Sequence, residues 1–376
     1  MKKTASWMIT AIAVGSLLAG CTSATDDSSN SGSSDKAAGN TECTTATTDL
    51  VAAAKEPAPL VVPQAPLDLA AAKGKSIWMI NVVTNEFTTA ATNGFNEAAA
   101  AAGVKTTIFD GQGQTNKFNE GVSQAIAQKA DAIVLLGVEP ALLAGALADA
   151  KNAGIPVINA LSGDASAPLA NGVFSNISAD YTADGASLAA WTLADSSCTA
   201  TTVLAQPTAI EIYENMANGA KGVYDEYCPD DCKLTALDID LANAATDLPQ
   251  KVQTEMTRDA NTDYIFTAWD SGVTFVEPTV AMKNPNAKIL GRDGIASSLD
   301  AIRSGKGQDV TVAAPPEAWL GWTMLDDAIR AITGAQPSGI VIPTRLIDST
   351  NAGESNDAVN PNYTDFQAAF TEAWAK

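Results

Sequence analysis

The side chains here that could do chemistry are carboxylates, cysteines and indoles, because histidine is absent from all 376 residues. That absence removes Ser-His-Asp and Cys-His nucleophilic sites, His-ligated zinc and His general bases together. Carboxylate chemistry survives, since glycoside hydrolysis needs only two Asp or Glu side chains about 5–10 Å apart. Asp180, Asp270 and Asp293 could supply such a pair. The same acids could instead bind, because an ionised carboxylate accepts two hydroxyl hydrogen bonds and so suits a polyol. Lys+Arg number 22 against 43 Asp+Glu, a formal net charge of −21. So acidic a surface repels phosphate backbones and anionic headgroups, and no nucleic-acid partner is expected.

The five cysteines divide into two kinds. Cys21 ends the tetrad Leu18-Ala19-Gly20-Cys21, which follows Lys2, Lys3 and an apolar stretch from Trp7 to Leu18. This is the charged, apolar and small-residue order of a secretory signal peptide. The apolar stretch falls short of the ~20 residues that span a bilayer. The tetrad looks like a bacterial lipobox, in which the cysteine thiol is diacylglycerylated and becomes the new N-terminus. Two acyl chains meet the requirement for stable anchoring. Thr22 to Thr41 is rich in Ser, Thr, Gly, Asn and Asp, holds nothing apolar larger than alanine, and reads as a flexible tether. The remaining four cysteines, an even number in an exported chain, favour disulfides over a metal site. Cys228-Pro229-Asp230-Asp231-Cys232 is short enough to close locally. Cys43 and Cys198 are then a long-range pair or two free thiols.

The elements that must position these groups alternate. Hydrophobic residues make up 46% of the chain, and at roughly 150 residues per domain its length points to about two domains. Apolar runs at 76–83, 105–110, 131–138, 155–161 and 172–178 read as strands, separated by helical patterns ending at glycines such as Gly103 and Gly154. The rhythm restarts with a helix from Tyr181, and strands at 201–206, 233–240, 263–269 and 287–293 follow in turn. Continuous rather than alternating apolar strands argue for parallel sheets covered on both faces. The fold class expected is α/β, with two doubly wound parallel-sheet lobes, a hinge and an interlobe cleft; such folds place ligands beyond the carboxyl ends of the strands.

Five stretches then carry a more specific likeness: INVVTNEFTTAATNGFNEAAAAAGV (80–104), ADAIVLLGVEPALLAGALADAKNAGIPVI (130–158), SNISADYTADGASLAA (175–190), DYIFTAWDSGV (263–273) and ILGRDGIASSLDAIRSG (289–305). In this order, from Ser76 to about Asn351, the chain resembles the type I periplasmic binding proteins, in particular the sugar-type, ribose-binding-like branch. The resemblance implies a signal peptide over 1–20, a lipidated cysteine and tether over 21–73, a first lobe from 74–177 plus 315–337, a second from 178–314 plus 338–351, and an extension over 352–376. It implies hinge crossings near residues 178, 314 and 337. It also implies delivery of a small, carbohydrate-like solute to an ATP-binding-cassette (ABC) permease by a monomer held on the outer face of the membrane. No cofactor is expected. A receptor that presents its ligand to a membrane sensor kinase is the alternative on the same fold.

By the same resemblance Asn85 and Phe87 would meet the solute after the first strand, Asp180 at the opening of the second lobe, Trp269 and Asp270 after strand 263–269, and Asp293 after strand 287–293. Asp180 could equally cap the helix that follows it. Three departures from the family pattern speak against ribose: Gly219 stands for an Arg, Leu161-Ser162 for an Asp-Arg pair, and Ala314 for a Gln. Losing a bidentate donor changes recognition qualitatively. Trp269, Trp319 and Trp322 could offer a ring platform instead, unless the last two are core residues of their helix.

The lipobox reading makes a direct prediction. Cys21→Ser should release the protein to the medium or leave it uncleaved, as fractionation and mass determination of the N-terminus will show; processed protein that stays membrane-bound would refute acylation at Cys21.

Overall fold

The computed structural model describes residues 32–208 and 210–375, so the signal peptide, Cys21 and residues 22–31 of the expected tether lie outside the described residues. Among the described residues, no helix is long and apolar enough to cross a membrane. From Gly39 onward the chain forms one compact unit.

Eleven strands are described: β1 (Ser76–Asn81), β2 (Lys105–Asp110), β3 (Ala132–Leu136), β4 (Val157–Ala160), β5 (Val173–Ile177), β6 (Thr201–Gln206), β7 (Lys233–Asp238), β8 (Tyr264–Thr267), β9 (Lys288–Asp293), β10 (Val310–Ala313) and β11 (Arg345–Asp348). They build two sheets, ordered β2-β1-β3-β4-β5 and β11-β10-β9-β8-β6-β7. Every pairing is parallel except β10 with β11. In the first sheet Ile77 and Met79 face the main core while Trp78 and Ile80 face a second apolar cluster with Phe118, Val122 and Leu147. Successive side chains point to opposite faces of a strand, so an uninterrupted apolar run is what a sheet covered on both sides requires. The two parallel-rich lobes expected from the sequence are therefore present.

Helix-on-helix contacts without side chains fix the layers. Helix Glu317–Thr333 returns to the first sheet and lies along helix Glu86–Ala102. A Cβ on Gly94 would collide with the Ala318 backbone, and one on Gly321 with that of Ala91. In the second lobe a Cβ on Gly185 would meet Met216 and one on Gly219 would meet Thr182, locking helix Tyr181–Asp195 to helix Glu211–Tyr227. Gly219 thus sits in a helix contact with no room for any side chain. The chain passes between the sheets three times, after Ile177, after Ala313 and between Thr333 and Arg345, with Ser178 and Val341 paired in parallel at the junction.

Both ends of the body differ from the sequence expectation. The tether assigned to 21–73 is corrected beyond its first residues: helix Gly32–Ala54 is followed by a segment that runs against helix Glu317–Thr333. Cys43 is disulfide-bonded to Cys198, the Trp319 indole donates to Val61 O (2.8 Å), and Arg330 Nη2 donates to Ala65 O (2.7 Å). The segment carries Leu60, Val61, Val62, Leu67 and Leu69, and their partners lie elsewhere in the chain, where a local reading has no access. The extension over 352–376 contains helix Phe366–Ala375, whose Phe366, Phe370 and Trp374 are buried. Trp374 stacks on Trp322 (centroids 5.2 Å apart, 18° between planes) and donates its indole N–H to Asp326. Trp319 and Trp322 are accordingly core residues of their helix.

Cys228 and Cys232 form the local disulfide, and Cys43–Cys198 is the long-range one, with a sequence separation of 155. Cross-linking stabilises mainly by restricting the unfolded chain, and the effect grows with the loop closed. Cys43→Ser should cost about 4–5 kcal/mol and Cys232→Ser no more than about 2 kcal/mol. Thermal melts of the two variants should show the larger fall for Cys43→Ser; equal falls would mean that loop closure is not what these bridges contribute.

Candidate functional site

At the end of β1 the chain turns at Val82–Thr84, and at the end of β3 it turns at Gly137. In the first sheet β1 lies between β2 and β3, so these two ends flank the place where strand order reverses. The second sheet reverses between β6 and β8. Doubly wound folds open a crevice at that point, and here the two crevices face each other. A cavity of about 270 Å³ fills the space, lined from the first lobe by Val82, Val83, Asn85, Phe87, Leu136 and Leu161, and from the second by Tyr181, Tyr213, Trp269, Phe275, Arg292 and Asp293. Beside it Glu86, from the first lobe, accepts from both the backbone N–H (3.0 Å) and the hydroxyl (2.6 Å) of Ser297 in the second.

Each side chain is placed by its local sequence. Asn85 caps helix Glu86–Ala102: its Oδ1 accepts from Thr88 N (2.9 Å), while Thr88 Oγ1 accepts from Asn85 N and donates to Val83 O. Phe87 follows and is buried against the cavity. Trp269 precedes helix Asp270–Lys283; its indole lies over Gly272, where any Cβ would strike the ring, and sits 6.0 Å from the Tyr213 ring. The backbone at Leu161 (φ 59°) and Asp293 (φ 139°) lies in a region that non-glycine residues seldom occupy. Both line the cavity, and strain of this kind costs about 1–3 kcal/mol and gathers at ligand sites.

Asp270 has a different place from the one the sequence suggested. It is fully buried and absent from the described lining. Its Oδ2 accepts from the N–H groups of Gly294 (2.7 Å) and Ile295, and both oxygens accept from Thr311, with Gln308 adding a bond to Oδ1. Gly291 leaves the space its carboxylate occupies. Asp270 thereby holds the Gly291-Arg292-Asp293-Gly294 turn, and through it Asp293. Asp180 likewise stands outside the lining and accepts from Ala183 N (2.9 Å) as the cap of its helix. Two acids at strand ends thus do structural work of the kind any helix start or tight turn demands, which is why position along the chain did not separate them from Asp293.

Four residues that the sequence reading did not single out, Arg292, Tyr181, Tyr213 and Ser271, also line the cavity. Arg292 is buried; its Nε donates to Asp184 and its Nη1 to Asp293, each at 3.2 Å, and its guanidinium carbon lies 4.6 Å from the centre of the Tyr181 ring. Its Nη2, the Tyr181 hydroxyl and the Ser271 hydroxyl are all buried without a hydrogen-bond partner, and all three residues line the cavity. An arginine directly after the apolar run Ile289-Leu290-Gly291 was the available signal, since a charge there needs an answering group. The Tyr181 and Tyr213 positions carried none, being ordinary first-turn aromatics in sequence.

Burial pushes the Asp293 carboxyl up to about 7, with the Asp270 charge adding to the rise and Arg292 opposing it. Burial likewise raises Asp184 and Asp270, and lifts Glu317 to about 8 and Asp326 to about 6. A carboxyl of the unfolded chain titrates near 4, so between about 4 and 7 the folded state binds more protons. Stability from these groups is fully present below their unfolded pKa and is lost as pH rises through the folded values. Melting temperature should therefore rise when pH is lowered from about 8 to about 5, and Asp293→Asn should flatten part of that slope, worth at most a few kcal/mol. Identical pH slopes in wild type and variant would show that Asp293 does not titrate in this window.

Among curated proteins the sequence finds no match. Solved structures do resemble the fold: an ABC transporter solute-binding protein from Agrobacterium vitis with bound allitol is 21% identical, covering 75% of this chain and 98% of its own, at TM-score 0.66. An ABC sugar transporter subunit from Rhodobacter sphaeroides 2.4.1 is 18% identical over 74% and 99% at TM-score 0.66. A solute-binding protein from Bacillus halodurans C-125 with bound myo-inositol is 17% identical over 78% and 99% at TM-score 0.65. The model of the periplasmic binding protein domain matches residues 77–336. With that match spanning most of the chain, this protein belongs to the periplasmic binding protein family.

Proposed function

We propose that the protein is an extracytoplasmic solute-binding subunit, tethered through Cys21, which hands a small neutral sugar-like ring to an ABC importer in the membrane. The observation that carries this reading is the interlobe cavity at both strand-order reversals, where Asn85, Tyr181, Tyr213, Ser271, Arg292 and Asp293 stand among apolar and aromatic side chains. A pocket that is mostly apolar with a few convergent polar groups is the usual form of a small-molecule site. Family membership and the allitol and myo-inositol complexes of similar folds support the same class. Of the residues expected to touch the solute, Asn85, Phe87, Trp269 and Asp293 line the cavity. The one acid among the described lining residues is Asp293, whereas glycoside hydrolysis needs two facing carboxylates. Arg292 and Asp293 are the charged members of that lining and answer each other, which favours a neutral solute.

A thermal-shift screen of hexoses, pentoses, hexitols, cyclitols and nucleosides on the purified chain tests this. A ligand present at a hundredfold its Kd adds about 2.7 kcal/mol, which is several degrees of melting temperature. Asp293→Ala should then weaken binding of the hit roughly 5- to 150-fold by calorimetry. A screen in which no ring compound shifts the melt would overturn the reading; wild-type affinity in Asp293→Ala would remove that residue from the site.

A further inference from the structure

Besides the three crossings between the lobes described above, the two ends of the chain add a pair of their own, outside the 77–336 span shared with the family. The first starts on the second lobe, where the buried Cys43 is bonded to Cys198. There Lys55 Nζ pairs with Asp348 of β11 at 2.6 Å, and Lys55 O accepts from Arg345 Nε (2.6 Å). By Val61 the chain lies on the first lobe, held by the bonds from Trp319 and Arg330 and by Leu67 N donating to Trp374 O. The second runs in parallel. Val359 is buried with Leu299, Ile302 and Ile347 of the second lobe, and its carbonyl accepts from Arg345 Nη1 (2.8 Å). Tyr363 then packs edge-on against Trp319 in the first lobe, with ring centres 5.7 Å apart.

The two crossings are bonded to each other. Asn362 Nδ2 donates to Ala58 O (2.7 Å), and the Tyr363 hydroxyl donates to Pro59 O (2.8 Å) and accepts from Val61 N (3.3 Å). Both leave from Arg345, where the third hinge crossing enters the second lobe. Both arrive at Trp319, in the first turn after the second hinge crossing enters the first lobe. They therefore lie beside the hinge. Domain motion needs a few residues that can absorb the change in φ and ψ, and Pro57, Pro59 and Pro361 have φ already fixed. Fully extended, the stretch from Val359 to Tyr363 reaches no more than about 14 Å.

We propose that residues 55–61 and 359–363 form a strap across the hinge that limits how far the lobes part, so that the unliganded protein stays near the closed arrangement. That arrangement is the one seen here, with Glu86 bonded to Ser297 and Gly113 lying against Ala242 across the cleft. A strap of this kind lowers the share of open conformations that cannot hold a solute, and so reduces what closure costs whichever solute it is. The role is mechanical and concerns the unliganded chain, so it stands apart from the identity of the ligand.

The test lengthens the strap and leaves every anchoring bond in place. Six Gly/Ser residues are inserted between Pro57 and Ala58, and six between Pro361 and Asn362, all at exposed positions; each insertion adds about 20 Å of reach. Hydrogen exchange of the purified full-length chain without ligand, read by mass spectrometry, is compared with wild type. Peptides over 82–88 and 269–275, on the two cavity walls, should exchange at least tenfold faster in the doubly lengthened protein, while β3 in the core of the first lobe stays as protected as before. Either insertion alone should give a smaller rise, because the other crossing still holds. Equal exchange of the cavity peptides in wild type and the doubly lengthened protein would overturn the strap. A rise spread equally over β3 would overturn it as well, since these segments would then be holding the fold together and not setting the opening.

Discussion

A guanidinium buried at the floor of the cleft cannot shed its proton, so the structure around it must answer its charge. Arg292 does this with two carboxylates from different parts of the chain, Asp184 in helix Tyr181–Asp195 and its own neighbour Asp293. Asp184 is itself held by the Thr344 hydroxyl at 2.6 Å, on the last segment to cross between the lobes. One charge thereby ties the second lobe's first helix, its β9 turn and a hinge segment to a single point. It also leaves one donor, Nη2, buried without a partner in the protein. Removing both carboxylates would strand a buried charge, a loss of about 3–5 kcal/mol for a broken buried pair, while either one alone still answers the guanidinium.

The turn that carries Arg292 depends on a second buried acid. Asp270 gathers backbone N–H groups from Gly294 and Ile295 and side chains from Gln308 and Thr311, so its charge is met by donors and not by a cation. This is the arrangement that lets a carboxylate remain in the interior without an ion pair. It also explains the two glycines around Arg292-Asp293: Gly291 makes room for the carboxylate, and Gly294 at φ +80° turns its N–H toward it. A strained Asp293 backbone is then tolerable, because the loop is fixed from both sides.

How much of this the sequence disclosed follows from the range of the forces involved. Strand and helix runs are local patterns, and β2, β6 and helix Glu211–Tyr227 fall where periodicity puts them. The local disulfide is legible for the same reason. The Cys43–Cys198 bridge, the docking of residues 55–68 and the Trp322–Trp374 stack join distant parts of the chain, and no window of sequence contains both partners. Phe366, Phe370, Ala373 and Trp374 do sit at helical spacing, so the last helix is visible in principle, although the surface it covers is not. At the site, Asn85, Phe87, Trp269 and Asp293 were implied by the resemblance to the family, whereas Tyr181, Tyr213 and Arg292 enter the cavity only because two lobes face each other.

That facing arrangement sets what a solute can accomplish. A ligand moves lobes together only by the contacts it makes with both when they are close and not when they are apart. The two bonds across the cleft mouth from Ser297 to Glu86 are exposed to water, and exposed polar pairs contribute about 0–1 kcal/mol at best. Most of the free energy of closure must therefore come from the cavity, where apolar wall from both lobes meets around the same space. At roughly 25 cal/mol per Å², some 150 Å² of ring surface buried between them is worth on the order of 4 kcal/mol. On the solute-binding reading proposed above, the polar groups of the cavity would orient a ring while its hydrocarbon walls supply the energy of closure, so recognition and closure would fall to different parts of one cavity.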